Sequence, residues 1–318
     1  MPRYAYVYSN ETAKIELNVS SMQLTIKEYV STYLDPIEIT SITETFPQTY
    51  QVVCLDFFAV YGKWVDLKKM RPYFDILKSC QYLCLLTRDL HTWTFIEKFV
   101  EDPFKYTSYK PLISLLKLLN IKTIISIYDC PELYKILELT KCKHYILPLH
   151  IDTVIFKNYH WKRDIDVFIY GASLQRVYPL RNRIKQTVKQ MKIKSFIVEN
   201  PSTKTFGKNL AHILNRSWIT ICTCSVYQYL VLKYFEASAC GSVVAGNMPD
   251  QGKPIWGQNY IHIPDDATYQ QIANIITLAL MNKTRLRYMG DHMSEIITSQ
   301  YNYQIYAKKL YDICENMI

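Results

Sequence analysis

Short apolar runs alternate with helix-spaced segments along the whole chain, and this alternation restricts the fold more than any other feature. Tyr4–Tyr8, Ile15–Val19, Gln51–Phe58, Tyr82–Leu86, Lys122–Tyr128 and Tyr145–Leu149 read as strands; Lys68–Lys78, Lys110–Leu119 and Pro131–Leu139 carry helical spacing. Strands joined through helices lie parallel, because each crossover returns the chain to the same end of the sheet. Asp152–Asp164 then breaks the periodicity with a polar, aromatic stretch. A second series follows it. Its strands are Asp166–Tyr170, Lys194–Val198, Ser217–Thr223, Ser242–Ala245 and Tyr260–Ile263. Its helices are Pro179–Met191, Lys208–Asn215, Val231–Cys240, Tyr269–Met281, Thr284–Thr298 and Tyr303–Met317. A length of 318 residues favours two domains over one. The expected architecture is α/β: doubly wound domains at 1–155 and 156–302, facing a cleft, with a terminal helix at 303–318.

Lys+Arg 37 against Asp+Glu 28 gives a net charge of +9, which suits an anionic ligand, a nucleic acid or an acidic membrane surface, and equally a solvated basic surface. The nine cysteines mostly sit in apolar runs, as at Cys54, Cys84, Cys222 and Cys240, and form no CxxC pair. Neither Cys80 with Cys84 nor Cys222 with Cys224 has a matching histidine pair, so free thiols in a reducing compartment are the better reading than a zinc site. The start Met-Pro-Arg-Tyr-Ala-Tyr lacks a signal-peptide pattern, and no apolar run approaches the roughly 20 residues that span a bilayer. The expected location is cytoplasmic, with peripheral membrane contact open.

The stretch Lys233–Asn247 (KYFEASACGSVVAGN) reads as a short helix with one acid, a glycine stop, a buried strand and a loop. That order puts Glu236 beside the carboxyl edge of a parallel sheet, where open α/β proteins bind ligands. A carboxylate there can accept two hydrogen bonds from a ribose diol. Lys233, three residues earlier on the same helix face, can meet a phosphate. Gly241 and Asn247 border the strand that follows. The bland reading is a surface ion pair on an exposed helix. A second loop, Gly171-Ala172-Ser173-Leu174-Gln175-Arg176, follows a clean strand. Gly171 and Ser173 let backbone N–H groups approach an anion, and the forks of Arg176, Arg181 and Arg183 suit diphosphate oxygens. The bland reading is an ordinary turn with a solvated basic helix. The loop has neither a GxGxxG nor a Walker A pattern. Past a strand of the first half, Asp89-Leu90-His91 offers a base, Asp89, and a group to orient a hydroxyl, His91; it reads equally as a loop histidine with local hydrogen bonds. His150, His160 and Trp64, Trp161 and Trp256 read as packing or loop residues.

The second half resembles the glycosyltransferases of the GT-B fold, particularly the family 4-like group with a "glycosyl transferases group 1" domain. The resemblance spans roughly residues 145–318. It is carried by Arg163–Gly171 with Tyr178–Arg181, by Leu210–Ile219, by Lys233–Asn247 and by the tail Asp291–Met317. It implies two Rossmann-like domains, with a final helix that returns to the first. It also implies that Glu236 holds the donor ribose, and that the Gly171 loop, Arg176, Arg181 and Lys233 meet the diphosphate. The family's first glutamate, eight positions before the second, is replaced here by Gln228, which can still hydrogen-bond a sugar hydroxyl. His91 is the candidate for the histidine that faces the reacting sugar. Asp164-Ile165-Asp166 looks like the DxD metal motif of the other major glycosyltransferase fold, but these acids precede a strand and do not follow one. No metal or other cofactor is expected. The implied activity is metal-independent transfer of a glycosyl group from a nucleotide-sugar to an acceptor hydroxyl, the acceptor being glycan, lipid or protein-linked. The rivals are a sugar-nucleotide epimerase on the same scaffold, and a catalytically silent scaffold or nucleic-acid-binding protein; a nucleic-acid partner is the less favoured.

Overall fold

The computed structural model describes residues 3–10, 27–60, 67–88, 90, 110–171, 175–198 and 206–318. The expected strand Ile15–Val19 lies outside them. The chain divides into two compact units, Met1–Pro148 with Gln304–Ile318, and Leu149–Tyr303. The division falls ahead of the Asp152–Asp164 segment because Ile151 already belongs to the second unit: its N–H donates to the Tyr301 carbonyl at 2.8 Å.

The first unit is built on a six-stranded sheet in the order β2-β1-β3-β4-β5-β6. Its strands are β1 (Tyr4–Tyr8), β2 (Asp35–Glu38), β3 (Val52–Asp56), β4 (Tyr82–Thr87), β5 (Thr123–Ser126) and β6 (Lys143–Ile146). Every pairing is parallel. Helices α1 (Leu67–Leu77), α2 (Lys110–Leu118) and α3 (Pro131–Thr140) alternate with the strands. β2 carries Pro36 and was not expected; it survives because it is the edge strand, where a missing N–H costs no central ladder bond. The run read as a strand over Gln51–Phe58 turns helical at Phe57.

The second unit holds a five-stranded sheet, order β11-β10-β9-β7-β8, from β7 (Ile165–Ile169), β8 (Ser195–Ile197), β9 (Ser217–Ile221), β10 (Val243–Gly246) and β11 (Ile261–His262). All its pairings are parallel too. Between the strands run α4 (Pro179–Gln190), α5 (Gly207–Arg216) and α6 (Leu232–Ala239), and after them α7 (Tyr269–Met281) and α8 (Lys283–Gln300). Alternation along the strands sorts the faces: Val167, Ile169, Ile219, Ile221, Val243 and Ala245 form one core with Leu180, Ile184 and Val188 of α4 and Ile272 and Ile276 of α7. Each such buried aliphatic side chain contributes about 1.5–3 kcal/mol. α7 opens with a capping box, Thr268 and Gln271 exchanging side-chain-to-backbone bonds.

The last helix, α9 (Tyr303–Glu315), is counted with the first unit from Gln304 onward. Its Cys314 thiol lies 3.4 Å from that of Cys54 in β3, which in turn lies 3.2 Å from Cys84 in β4. Tyr4 donates to Glu315 and meets Tyr311 edge-on at 5.4 Å. All nine cysteines are free thiols.

Candidate functional site

In the second sheet the chain runs from β7 to β8 on one side, then returns to place β9 on the other side of β7. Ligands of open α/β sheets bind outside the carboxyl ends of strands at such a reversal. The residues that leave these ends here are Tyr170 and Gly171 after β7, and Cys222 and Thr223 after β9. α6 leads into β10, so its first turn stands at the same edge.

Three charged side chains converge there. Lys233, in that first turn, donates from Nζ to the Tyr170 carbonyl at 2.6 Å and lies 4.4 Å from the centre of the Tyr170 ring. One turn on, Glu236 accepts at Oε2 from the Tyr170 hydroxyl at 2.9 Å. Arg181, on the inner stripe of α4, is only 1% exposed. It donates from Nε to the Thr223 hydroxyl at 3.1 Å and from Nη2 to the Thr223 carbonyl at 3.0 Å, with Tyr178 stacked beneath it at 3.8 Å. Gly171 brings the two cations together. A Cβ at this position would stand 2.5 Å from Lys233 Nζ and 3.8 Å from Arg181 Nη1, and its φ of +89° is one that glycine adopts without penalty.

The electrostatics follow from the enclosure. Burial, and after it the Arg181 charge, pulls the Lys233 ammonium down to about 7. Burial raises the Glu236 carboxyl to about 7, against the opposing effects of the Tyr170 hydrogen bond and the Lys233 charge. A buried guanidinium with a partly buried lysine and carboxyl beside it can hold an anionic group and offers it one acceptor-rich side chain as neighbour.

The remaining sequence candidates are distributed differently. Gln228 is exposed, with φ +59°, and its Oε1 accepts from Cys224 Sγ at 3.4 Å. Arg176 is exposed in the turn ahead of α4. Asn247 is buried and engaged: Oδ1 accepts from the Cys224 N–H at 3.1 Å and Nδ2 donates to Asp265 at 2.7 Å. Gly241 is at the opposite end of α6 from Lys233, where a Cβ would meet Asn158 and Arg163. Arg183 reaches the Asp265 carbonyl. Ser173, Asp89 and His91 lie outside the described residues, as does Trp64. His150 is buried against Tyr301, Trp256 is buried, and Trp161 stacks on Tyr159 at 5.1 Å. Asp164 and Asp166 stand at the amino end of β7, paired with Arg216 at 2.6 Å and Lys283 at 2.7 Å; the Arg216 hydrogen bond holds the Asp164 carboxyl below its ordinary range. Two participants escaped the sequence reading, Tyr170 and Thr223. Tyr170 ends an apolar strand within the Arg163–Gly171 segment, and nothing local links it to Glu236.

A separate cavity of about 760 Å³ runs between Thr153–His160 and one face of α8, with Asn158 donating to Asp291 in its wall; Lys233, Glu236, Arg181 and Tyr170 do not line it. Among the described residues, no group of three or more His, Cys, Asp or Glu is placed to hold a metal ion, and no helix is long and apolar enough to cross a membrane.

Two doubly wound parallel-sheet units in one chain, the second with this edge site, make up the GT-B fold. Solved structures with this fold include the sucrose-phosphate synthase of Thermosynechococcus elongatus, at 11% identity and TM-score 0.60, covering 100% of this chain and 99% of that one. Anabaena HepE, solved with UDP and glucose, aligns at 8% identity and TM-score 0.61 over 99% of this chain and 100% of its own. T4 phage BGT, solved with its UDP-glucose substrate, aligns at 11% identity and TM-score 0.58 over 99% of each. At these identities the likeness is one of fold. No protein-family model and no curated protein sequence matches the chain.

Proposed function

We propose that the chain is a glycosyltransferase that moves a sugar from a nucleotide-sugar, with a UDP-sugar the first donor to test, to a hydroxyl of a glycan, lipid or protein-linked acceptor. The observation that carries this reading is the meeting of Lys233, Arg181 and Glu236 around Tyr170 and Gly171 at the reversal point of the second sheet. The solved neighbours with UDP, glucose or UDP-glucose support it. In this reading Glu236 accepts from the ribose hydroxyls. Lys233, Arg181 and the backbone after Gly171 receive the diphosphate, with Arg176 and Ser173 bordering the same loop and Gln228 near the sugar. As the bond from the sugar's anomeric carbon to the diphosphate breaks, these cations take up the charge left on the leaving oxygen. The anomeric carbon bonds to the acceptor oxygen, whose proton passes to a base; Asp89 is the candidate, with His91 orienting the hydroxyl. The two cations supply the positive charge, so the reaction is proposed to be metal-independent.

The test is calorimetric titration of UDP into the wild type and Glu236→Ala, with and without EDTA. A hydrogen bond to a charged group is worth about 1.5–3 kcal/mol, so the substitution is expected to weaken UDP binding by about tenfold or more. EDTA is expected to leave the wild-type titration unchanged. Equal affinity in the two proteins would remove the ribose role of Glu236.

A further inference from the structure

We propose that Tyr170 is a positioning residue of this site, holding Lys233 with its backbone carbonyl and Glu236 with its hydroxyl so that both are set before a ligand arrives. The proposal rests on the nucleotide-sugar reading and gives a role to a residue to which the sequence assigned none.

Tyr170 is well placed to act as a fixed point. It follows directly on β7 and is 8% exposed, and its ring lies parallel to that of Phe168 at 4.9 Å, with Phe168 itself stacked on Phe196 of β8 at 5.7 Å. A tyrosine with its ring clamped in a stack presents its hydroxyl at one point. That point is 2.9 Å from Glu236 Oε2. The bond uses one lone pair of one carboxylate oxygen and fixes the carboxylate plane; among the described residues no protein donor reaches Oε1. Glu236 therefore keeps the oxygen that a diol needs. At its other end the same residue takes one of the three Lys233 N–H bonds, leaving two for an anion. One residue thus sets the spacing between an anion-binding group and a diol-binding group.

The hydroxyl also acts on the charge of its partner. A donor to the ionised carboxylate favours ionisation, opposing the burial that drives Glu236 the other way. The groups that face Lys233 and Glu236 among the described residues are Tyr170 from the end of β7, Arg181 from α4, Cys222 from the end of β9 and Cys240 at the end of α6. Of these, Tyr170 is the one that donates a hydrogen bond to the Glu236 carboxylate.

Tyr170→Phe separates the two halves of the arrangement. It keeps the ring stack, the face toward Lys233 and the carbonyl, and deletes only the hydroxyl. Two measurements test it, with the melting temperature as the check on folding. The first needs no nucleotide: carbon-13 NMR titration of the Glu236 carboxyl in the free protein. The midpoint is expected to move to higher pH in Tyr170→Phe; an unmoved midpoint overturns the proposal. The second is UDP calorimetry from about pH 6 to pH 9. The variant is expected to bind several-fold more weakly at pH 7, with the gap narrowing toward pH 9 as the carboxyl ionises without help. Adding Tyr170→Phe to Glu236→Ala is expected to cause no further loss. Equal affinity throughout, or a loss of the same size at every pH and on both backgrounds, overturns the positioning role. If the wild type does not bind UDP while the NMR midpoint still moves, the donor reading falls and the Tyr170–Glu236 coupling stands.

Discussion

Gly171 shows most directly how one residue sets the chemistry of this site. Alanine there meets two obstacles: a φ of +89°, and a Cβ 2.5 Å from Lys233 Nζ. The first costs about 1–3 kcal/mol of backbone strain. The second costs less stability, because a lysine tip can swing away, but it unseats the ammonium that the Tyr170 carbonyl holds. Gly171→Ala is therefore expected to lower the melting temperature modestly and UDP affinity by tenfold or more; paired thermal unfolding and calorimetry check the two effects, and undiminished affinity would place the diphosphate elsewhere. The pattern of what the sequence revealed follows the same logic. Lys233 and Glu236 were legible because they share one helix turn and their own segment places that helix at a sheet edge. Arg181 was read as a member of a solvated basic helix or as a diphosphate ligand, and its burial on Thr223 could not be seen, since that partner is 42 residues away. Tyr170 was hidden for the same reason: its partner is 66 residues off, and a tyrosine ending an apolar strand looks like core.

At the scale of elements, the alternation of strands and helices was readable because each buried strand is a compact apolar run. Its edges were not. β2, Asp-Pro-Ile-Glu, has no apolar run at all and is held by pairing with β1. The Gln51–Phe58 run is buried almost throughout, so periodicity could not show that its last residues turn into a helix. β6 sits at Lys143–Ile146, earlier than the apolar Tyr145–Leu149, because an edge strand is selected by its ladder to β5 more than by burial. Packing between elements is equally invisible in sequence, and Gly290 is the sharpest instance. It lies inside α8, where alanine would gain about 1 kcal/mol of helix propensity. A Cβ there would overlap the carbonyl oxygen of Gly241, the backbone that links α6 to β10. Backbone cannot swing aside as a lysine can, so Gly290→Ala is expected to be destabilising by about 1–3 kcal/mol despite the propensity gain. Chemical denaturation measures this; a neutral or stabilised variant would mean that α8 slides freely on α6.

For the molecule as a whole, the site is a local cost that pH exposes. Glu236 is raised from 4.5 to about 7 in the folded protein, so between those values the folded state holds more protons than the unfolded chain and stability falls as pH rises. Lys233 is lowered from 10.5 to about 7, so between 7 and 10.5 the unfolded chain holds more protons and stability rises with pH. The two windows meet near neutrality, where both groups press hardest against the fold. Replacing the pair by the uncharged Lys233→Met with Glu236→Gln is therefore expected to stabilise the protein most near pH 7, with a gain that shrinks toward pH 4.5 and toward pH 10.5. Denaturation curves across that range measure the difference between the two proteins. A difference that does not vary with pH would show both side chains to be well solvated in the folded state. If the proposed donor site is right, saturating UDP should reverse the order at neutral pH, because a ligand that binds only the folded state stabilises it in proportion to the logarithm of one plus its concentration over Kd, and the substituted protein lacks the groups proposed to bind it. A site that destabilises its own fold when empty and repays that cost when filled is what distinguishes a binding site from a buried ion pair kept for structure.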